Sequence, residues 1–125
     1  MDDCAIRRRQ LSQAFKRCQG IFLALGDETR QQIFITLLEN EKIGMRVPDV
    51  TAKTHLSRPA VSHHLRVLKD AGLIGMHRVG TMNFYYVHAA QGCWDELKQL
   101  ADQVDGAVKS AAASAYPRLK EDEAP

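Results

Sequence analysis

At 125 residues, with 45% hydrophobic and 26% charged side chains, the chain suits one soluble domain with a buried core. No run approaches the roughly 18 apolar residues of a membrane span, and Met1-Asp2-Asp3-Cys4 lacks the basic-then-apolar order of a secretory signal. The expected location is therefore the cytoplasm, with no membrane partner. Cys4, Cys18 and Cys93 contain no Cys-x-x-Cys pair, so their spacing supports neither a disulfide framework nor a zinc knuckle.

The net charge of +2 is too small to announce a nucleic-acid partner, but it is unevenly spread. Residues 53–94 hold Lys53, Arg58, Arg66, Lys69 and Arg78 against Asp70 alone, together with all five histidines. Residues 27–52 and 95–125 are net acidic.

In chain order, Leu11, Phe15, Cys18, Phe22 and Leu25 recur at alternating spacings of four and three, which predicts a helix over residues 4–25, ended by Gly26. Asp27 is a good N-cap for a second helix over 28–39, attached to the core by Ile33, Ile35, Leu37 and Leu38. Residues 40–46 read as a loop or short strand. Pro48 fits the first turn of a short helix reaching Thr54, with Val47, Val50 and Ala52 as apolar contacts.

After His55-Leu56-Ser57 comes a helix with Ser57 as N-cap, Pro59 in its first turn and Gly72 past its end. Val61, Leu65 and Leu68 form its apolar stripe, which turns Arg58, Ser62, His63, Arg66 and Lys69 elsewhere, mostly to solvent. Leu73–Val79 and Phe84–His88 suit strands, joined through Gly80-Thr81-Met82-Asn83. A last helix, over 91–113, sets Trp94, Leu97, Ala101, Val104, Val108 and Ala111 on a heptad seam, and the chain from Ser114 reads as a frayed tail.

The fold class expected is mainly α with a β-hairpin wing (α+β), a winged helix-turn-helix in one domain. Residues 1–26 form its N-terminal helix, 47–72 the helix-turn-helix, 73–88 the wing, 91–113 the C-terminal helix and 114–125 a flexible tail. The most basic helical face falls on the second helix of the helix-turn-helix, where such folds meet the major groove of DNA. Candidate DNA contacts are Ser57, Arg58, Ala60, Ser62, His63 and Arg66, with Arg78, Thr81 and Asn83 in the wing. Arg58 suits a base edge and Arg66 a phosphate. His64, bordering the apolar stripe, reads as a partly buried packing residue. His63 and His64 are adjacent and point about 100° apart, so they do not face one metal together.

These residues resemble the arsenic-repressor-like (ArsR/SmtB) transcriptional regulators over residues 22–88. The resemblance rests on Phe22-x-Ala24-Leu25-Gly26-Asp27-Glu28-Thr29-Arg30, on Ser57-x-x-x-Val61-Ser62-His63-His64-Leu65-x-x-Leu68-x-x-Ala71-Gly72-Leu73-Ile74, and on Tyr85-Tyr86 closing the hairpin. It implies a repressor that binds operator DNA as a homodimer, its first and last helices packed across the two-fold axis. Leu11, Phe15, Cys18, Trp94, Leu97, Ala101, Val104 and Val108 are then the expected dimer interface.

Many such regulators sense metals through two cysteines on the short helix before the recognition helix. Arg46 and Pro48 occupy those positions here, and Ala90, Gly92, Gln103 and Gly106 occupy those of a second family site on the last helix. None of these side chains ligates zinc or arsenite, so neither a metal nor a cofactor is expected, and the effector, small molecule or redox, is left open. Cys18 and Cys93 are candidates for a thiol switch, against the plainer reading of Cys18 as a small packing residue. A winged helix used for protein recognition is the rival from another class. No nucleophile and base at catalytic spacing, phosphate-binding glycine loop or paired carboxylate suggests an enzyme.

Overall fold

The computed structural model describes residues 2–87 and 93–115, the side chains of 114 and 115 excepted. These residues form two compact units, one of residues 2–18 and 95–115, the other of Gln19–Trp94.

The first unit consists of α1 (Asp3–Arg17) and most of α6 (Cys93–Ala115). Asp2 caps α1 by accepting the Ala5 N–H at 2.6 Å, and Lys16 and Arg17 in the last turn complement the negative end of the helix. Ala14, Cys18 and Leu100 are buried, and Leu11 lines a cleft with Gln103, Gly106 and Ala107. Among the described residues no helix is long and apolar enough to cross a membrane.

The single helix expected over 4–25 is broken in two. The Cys18 N–H donates to Phe15 O at 3.0 Å, three residues back, and α2 (Gln19–Leu25) starts anew. Gly20, which weakens a helix interior by about 1 kcal/mol relative to alanine, sits just beyond the break. Ile21 and Ala24 are buried on α2, in place of the expected Phe22 and Leu25, and Leu23 is exposed.

The second unit builds its core around α3 (Glu28–Glu39), α4 (Val47–Ala52) and α5 (Arg58–Asp70). Asp27 caps α3 as expected, accepting the Arg30 N–H at 2.9 Å. Ile33, Phe34, Thr36 and Leu37 are buried on α3, whereas Ile35 and Leu38, expected in the core, are exposed. The apolar run 33–38 is longer than one helical face, so the 3.6-residue period turns 35 and 38 outward. Phe34 packs on Trp94 with ring centroids 5.7 Å apart.

In the segment 40–46, Met45 pairs with Tyr85 through two backbone hydrogen bonds of 2.8 Å, so its end is a one-residue strand. The helix α4 opens with the Arg46 N–H donating to Asp49 Oδ2 at 3.0 Å. It stops at Ala52 rather than Thr54, because the Lys53 and Thr54 N–H groups bond three residues back and tighten the chain into a turn. Of its expected apolar contacts Val50 is fully buried, Val47 half-buried and Ala52 exposed.

On α5 the Ser57 hydroxyl accepts the Ala60 N–H at 3.3 Å, and Val61, Leu65 and Leu68 are wholly buried. Gly72, at φ +83°, ends the helix in the left-handed region that glycine adopts without strain. The strands β1 (Ile74–Val79) and β2 (Met82–Val87) pair antiparallel from Ile74↔Val87 to Val79↔Met82. The turn is thus Gly80-Thr81, with Gly80 at φ +62°, and not the expected four-residue connection. Met82 and Asn83 belong to β2. His88 and residues 89–92, expected to end the strand and start the last helix, lie outside the described residues, as do 116–125 of the expected tail. The last helix continues to Ala115, two residues beyond expectation, through an alanine-rich run of high helix propensity.

Candidate nucleic-acid interface

The buried stripe of α5 dictates what its other side offers. With Val61, Leu65 and Leu68 inside, Ser57, Arg58, His63 and Arg66 are exposed and Ala60 and Ser62 half-exposed, so the basic face predicted from spacing is intact. Among the described residues no ion pair occupies Arg58 or Arg66, the single such pair being Lys109–Asp105 on α6. Two guanidiniums therefore stand free to meet anionic partners, Arg58 at the positive N-terminal end of this helix of 13 residues and Arg66 about two turns further along.

The wing supplies a second polar edge. Arg78, Thr81 and Asn83 are exposed around the turn, and Arg78 lies opposite Asn83 in the hairpin register. Arg78 Nε donates to Gly80 O at 3.0 Å, which folds the side chain over the turn and leaves its other guanidinium donors outward.

One titratable group on α5 also faces the protein. His64 is half-buried, its Nδ1 3.4 Å from Arg30 Nη1, and the Arg30 guanidinium also donates to Ala24 O at 2.7 Å and Leu23 O at 3.3 Å. Burial is the main cause holding the His64 imidazolium below its usual range; Asp27 opposes it, and Arg30 and His63 add to it. Asp27 itself is held below the usual carboxylate range, mainly by the Arg30 N–H it accepts. Sequence reasoning places Arg30 in a motif without giving it a role, because no local pattern says that a side chain at 30 meets one at 64.

Comparison with known proteins decides the family. The family model for bacterial regulatory protein, arsR family, matches residues 27–75, which run from the cap of α3 into β1. An uncharacterized HTH-type transcriptional regulator of Methanocaldococcus jannaschii is 35% identical over 91 residues, covering 73% of this chain and 94% of that protein. The transcriptional repressor SdpR of Bacillus subtilis is 35% identical over 66 residues, covering 53% of this chain and 70% of SdpR. The chain belongs to the ArsR family. A solved ArsR-like transcriptional regulator of a Rhodococcus species shares the fold, with a TM-score of 0.62 at 24% identity over 84% of this chain and 93% of that one.

As an ArsR-family protein the molecule is a DNA-binding transcriptional regulator and not an enzyme, and α4, α5 and the β1–β2 hairpin are its winged helix-turn-helix. The remaining candidate residues fall elsewhere. On α6, Ala101, Val104 and Val108 of the seam are exposed, the valines by 40% and 60%, while Trp94 and Leu97 are half-buried. Phe15 on α1 is 50% exposed and Leu11 half-buried. Cys18 is fully buried, and burial first, then Glu96, push its thiol up against the opposing effect of Arg17. Cys93 is half-buried. Arg46 precedes α4 and Pro48 lies in its first turn. Among the described residues no three histidine, cysteine or acidic side chains gather as metal ligands.

Proposed function

We propose that this protein is a repressor that binds an imperfect palindrome as a homodimer, α5 of each subunit entering the major groove and the wing lying along the adjacent backbone or minor groove. The observation that carries this reading is the division of α5 into a wholly buried apolar stripe and an exposed face with two unpaired arginines. Arg58, near the helix start, meets a base edge, and Ser57, Ala60, Ser62 and His63 pack or donate beside it. Arg66, further along, takes a phosphate, as do Arg78, Thr81 and Asn83 at the wing.

Exposed apolar groups on both helices of the first unit support the dimer. Phe15, Val104 and Val108 leave apolar surface that a second copy would cover, extended by Leu11, Leu97 and Ala101, with Cys18 buried beneath. Such a protein works in the cytoplasm, where its DNA is. The side chains at the family's metal positions, Arg46, Pro48, Gln103 and Gly106 among them, have no affinity for soft or borderline cations. Zinc or arsenite salts should leave DNA affinity unchanged, and a metal-dependent loss of affinity would contradict this.

The test is a binding titration against the duplex upstream of the protein's own gene and against random DNA of equal length, over a range of salt. Affinity for both should fall steeply as salt rises, with the upstream duplex bound more tightly at every concentration. Binding that ignores salt, or no binding to either duplex, would favour a winged helix used for protein recognition.

A further inference from the structure

Three backbone carbonyls close α2, and two side chains of α3 reach back to them. Arg30 donates to Leu23 O and Ala24 O, and Gln31 Nε2 donates to Leu25 O. These are carbonyls that a helix end leaves without intrahelical partners. Arg30 goes further than Gln31, because its Nη1 also reaches the His64 ring on α5, 34 residues on in sequence. A guanidinium has five donors and no acceptor. For Arg30 to donate across this contact, the His64 Nδ1 carries the lone pair and the ring is neutral, protonated at Nε2.

We propose that Arg30 is a positioning residue for DNA recognition, a single planar group that ties the end of α2 and the start of α3 to the middle of the recognition helix through His64. The contact exists only with a neutral imidazole, since an imidazolium would turn its own N–H toward a cation. The charged groups acting on the ring are Asp27 and Arg30 from the α3 end and His63 on α5 itself. Of the other elements packed on α5, α2 has no ionisable side chain, and Asp49 of α4 and His77 and Arg78 of β1 are not among the groups that act on it. Two of the three disfavour the imidazolium, as does burial. Protonation of His64 thus releases α5 from α2 and loosens the placement of Arg58 and His63. The inference rests on the reading of α5 as the DNA-contacting helix.

The test has a spectroscopic arm and a binding arm. In the free protein, nitrogen-detected NMR of the imidazoles should show His64 as the Nε2–H tautomer, titrating below its ordinary value. Arg30→Met should bring the titration up and mix the tautomers. In the binding arm, affinity for the upstream duplex is measured from about pH 7.5 to about pH 5.5 for wild type, His64→Gln and Arg30→Met. Glutamine accepts from Arg30 but does not titrate, so its affinity should match wild type at the upper pH. Wild type should then weaken progressively against it as the pH falls, by less than about tenfold at the lower pH, because one linked proton sets at most about tenfold per pH unit and His64 titrates below its ordinary value. Arg30→Met should bind more weakly throughout, without that acid loss. Parallel pH profiles for wild type and His64→Gln, or an unchanged His64 titration in Arg30→Met, would overturn the proposal. Undiminished binding by Arg58→Ala would instead remove α5 from the DNA and take the positioning role with it, leaving the imidazole signature standing.

Discussion

Arg58 and Arg66 lie eight positions apart on one helix, about 12 Å along its axis, and the difference in position separates their roles. If Arg58 reads a base, Arg58→Ala should cost about 1–3 kcal/mol on the specific duplex and less on random DNA, whereas Arg66→Ala should weaken both alike and reduce the salt slope. Competition titrations on the two duplexes measure this, and equal losses for Arg58→Ala would reassign it to phosphate. Ser57 has a structural duty as well, since its hydroxyl caps α5 through the Ala60 N–H. Ser57→Ala should therefore lower stability by about 1 kcal/mol in thermal or denaturant unfolding. The titration of His64 also bears on folding. Its imidazolium is disfavoured in the native state by burial above all, so its contribution is present above the unfolded value near 6.5 and lost as pH falls through the lower folded value. Thermal midpoints should drop over that window in wild type more than in His64→Gln, and identical profiles would contradict the assignment.

At the scale of elements, the clearest sequence signals were local ones. Ser57, Pro59 and Gly72 bracket α5 as the sequence predicts, and Asp27 caps α3, because capping is decided by the few residues that make it. What spacing alone could not settle was which turn of an apolar pattern faces the core. The stripe Leu11, Phe15, Cys18, Phe22, Leu25 reads as one helix, but the chain breaks after Cys18, and the buried positions are Cys18 and, one residue off the expected stripe on both sides of the break, Ala14, Ile21 and Ala24. The hairpin turn was placed correctly at Gly80 but two residues too long, since Met82 and Asn83 pair with Val79 and Arg78 once β1 lies beside them. The Met45↔Tyr85 bridge depends on chain segments 40 residues apart and has no local signature. The core consequence is testable. Leu65→Ala removes a wholly buried side chain from the stripe of α5 and should cost about 2–5 kcal/mol, read from denaturant midpoints. A loss under 1 kcal/mol, on the order expected of a surface position, would mean that α5 is not anchored by this stripe.

For the whole molecule, the question is what covers the apolar surface of α1 and α6. Heptad spacing on α6 marked Val104 and Val108 as a seam, and their exposure within one chain is the reason to look for a second chain there. Val104→Glu would place an unpaired charge in that contact and should dissociate the dimer, so that sedimentation equilibrium gives the mass of one chain in place of two. A dimer mass unchanged by the substitution would assign these valines another purpose. A dimer with two copies of α5 must also leave a two-fold signature on DNA. Hydroxyl-radical footprinting of the duplex upstream of the gene tests this most directly. The protein should protect two related patches on one face of the helix, their centres about 10–10.5 base pairs apart or a multiple of that, and Arg58→Ala should erase both together. A single patch, or protection spread evenly along the duplex, would contradict a dimeric repressor reading a palindrome through α5.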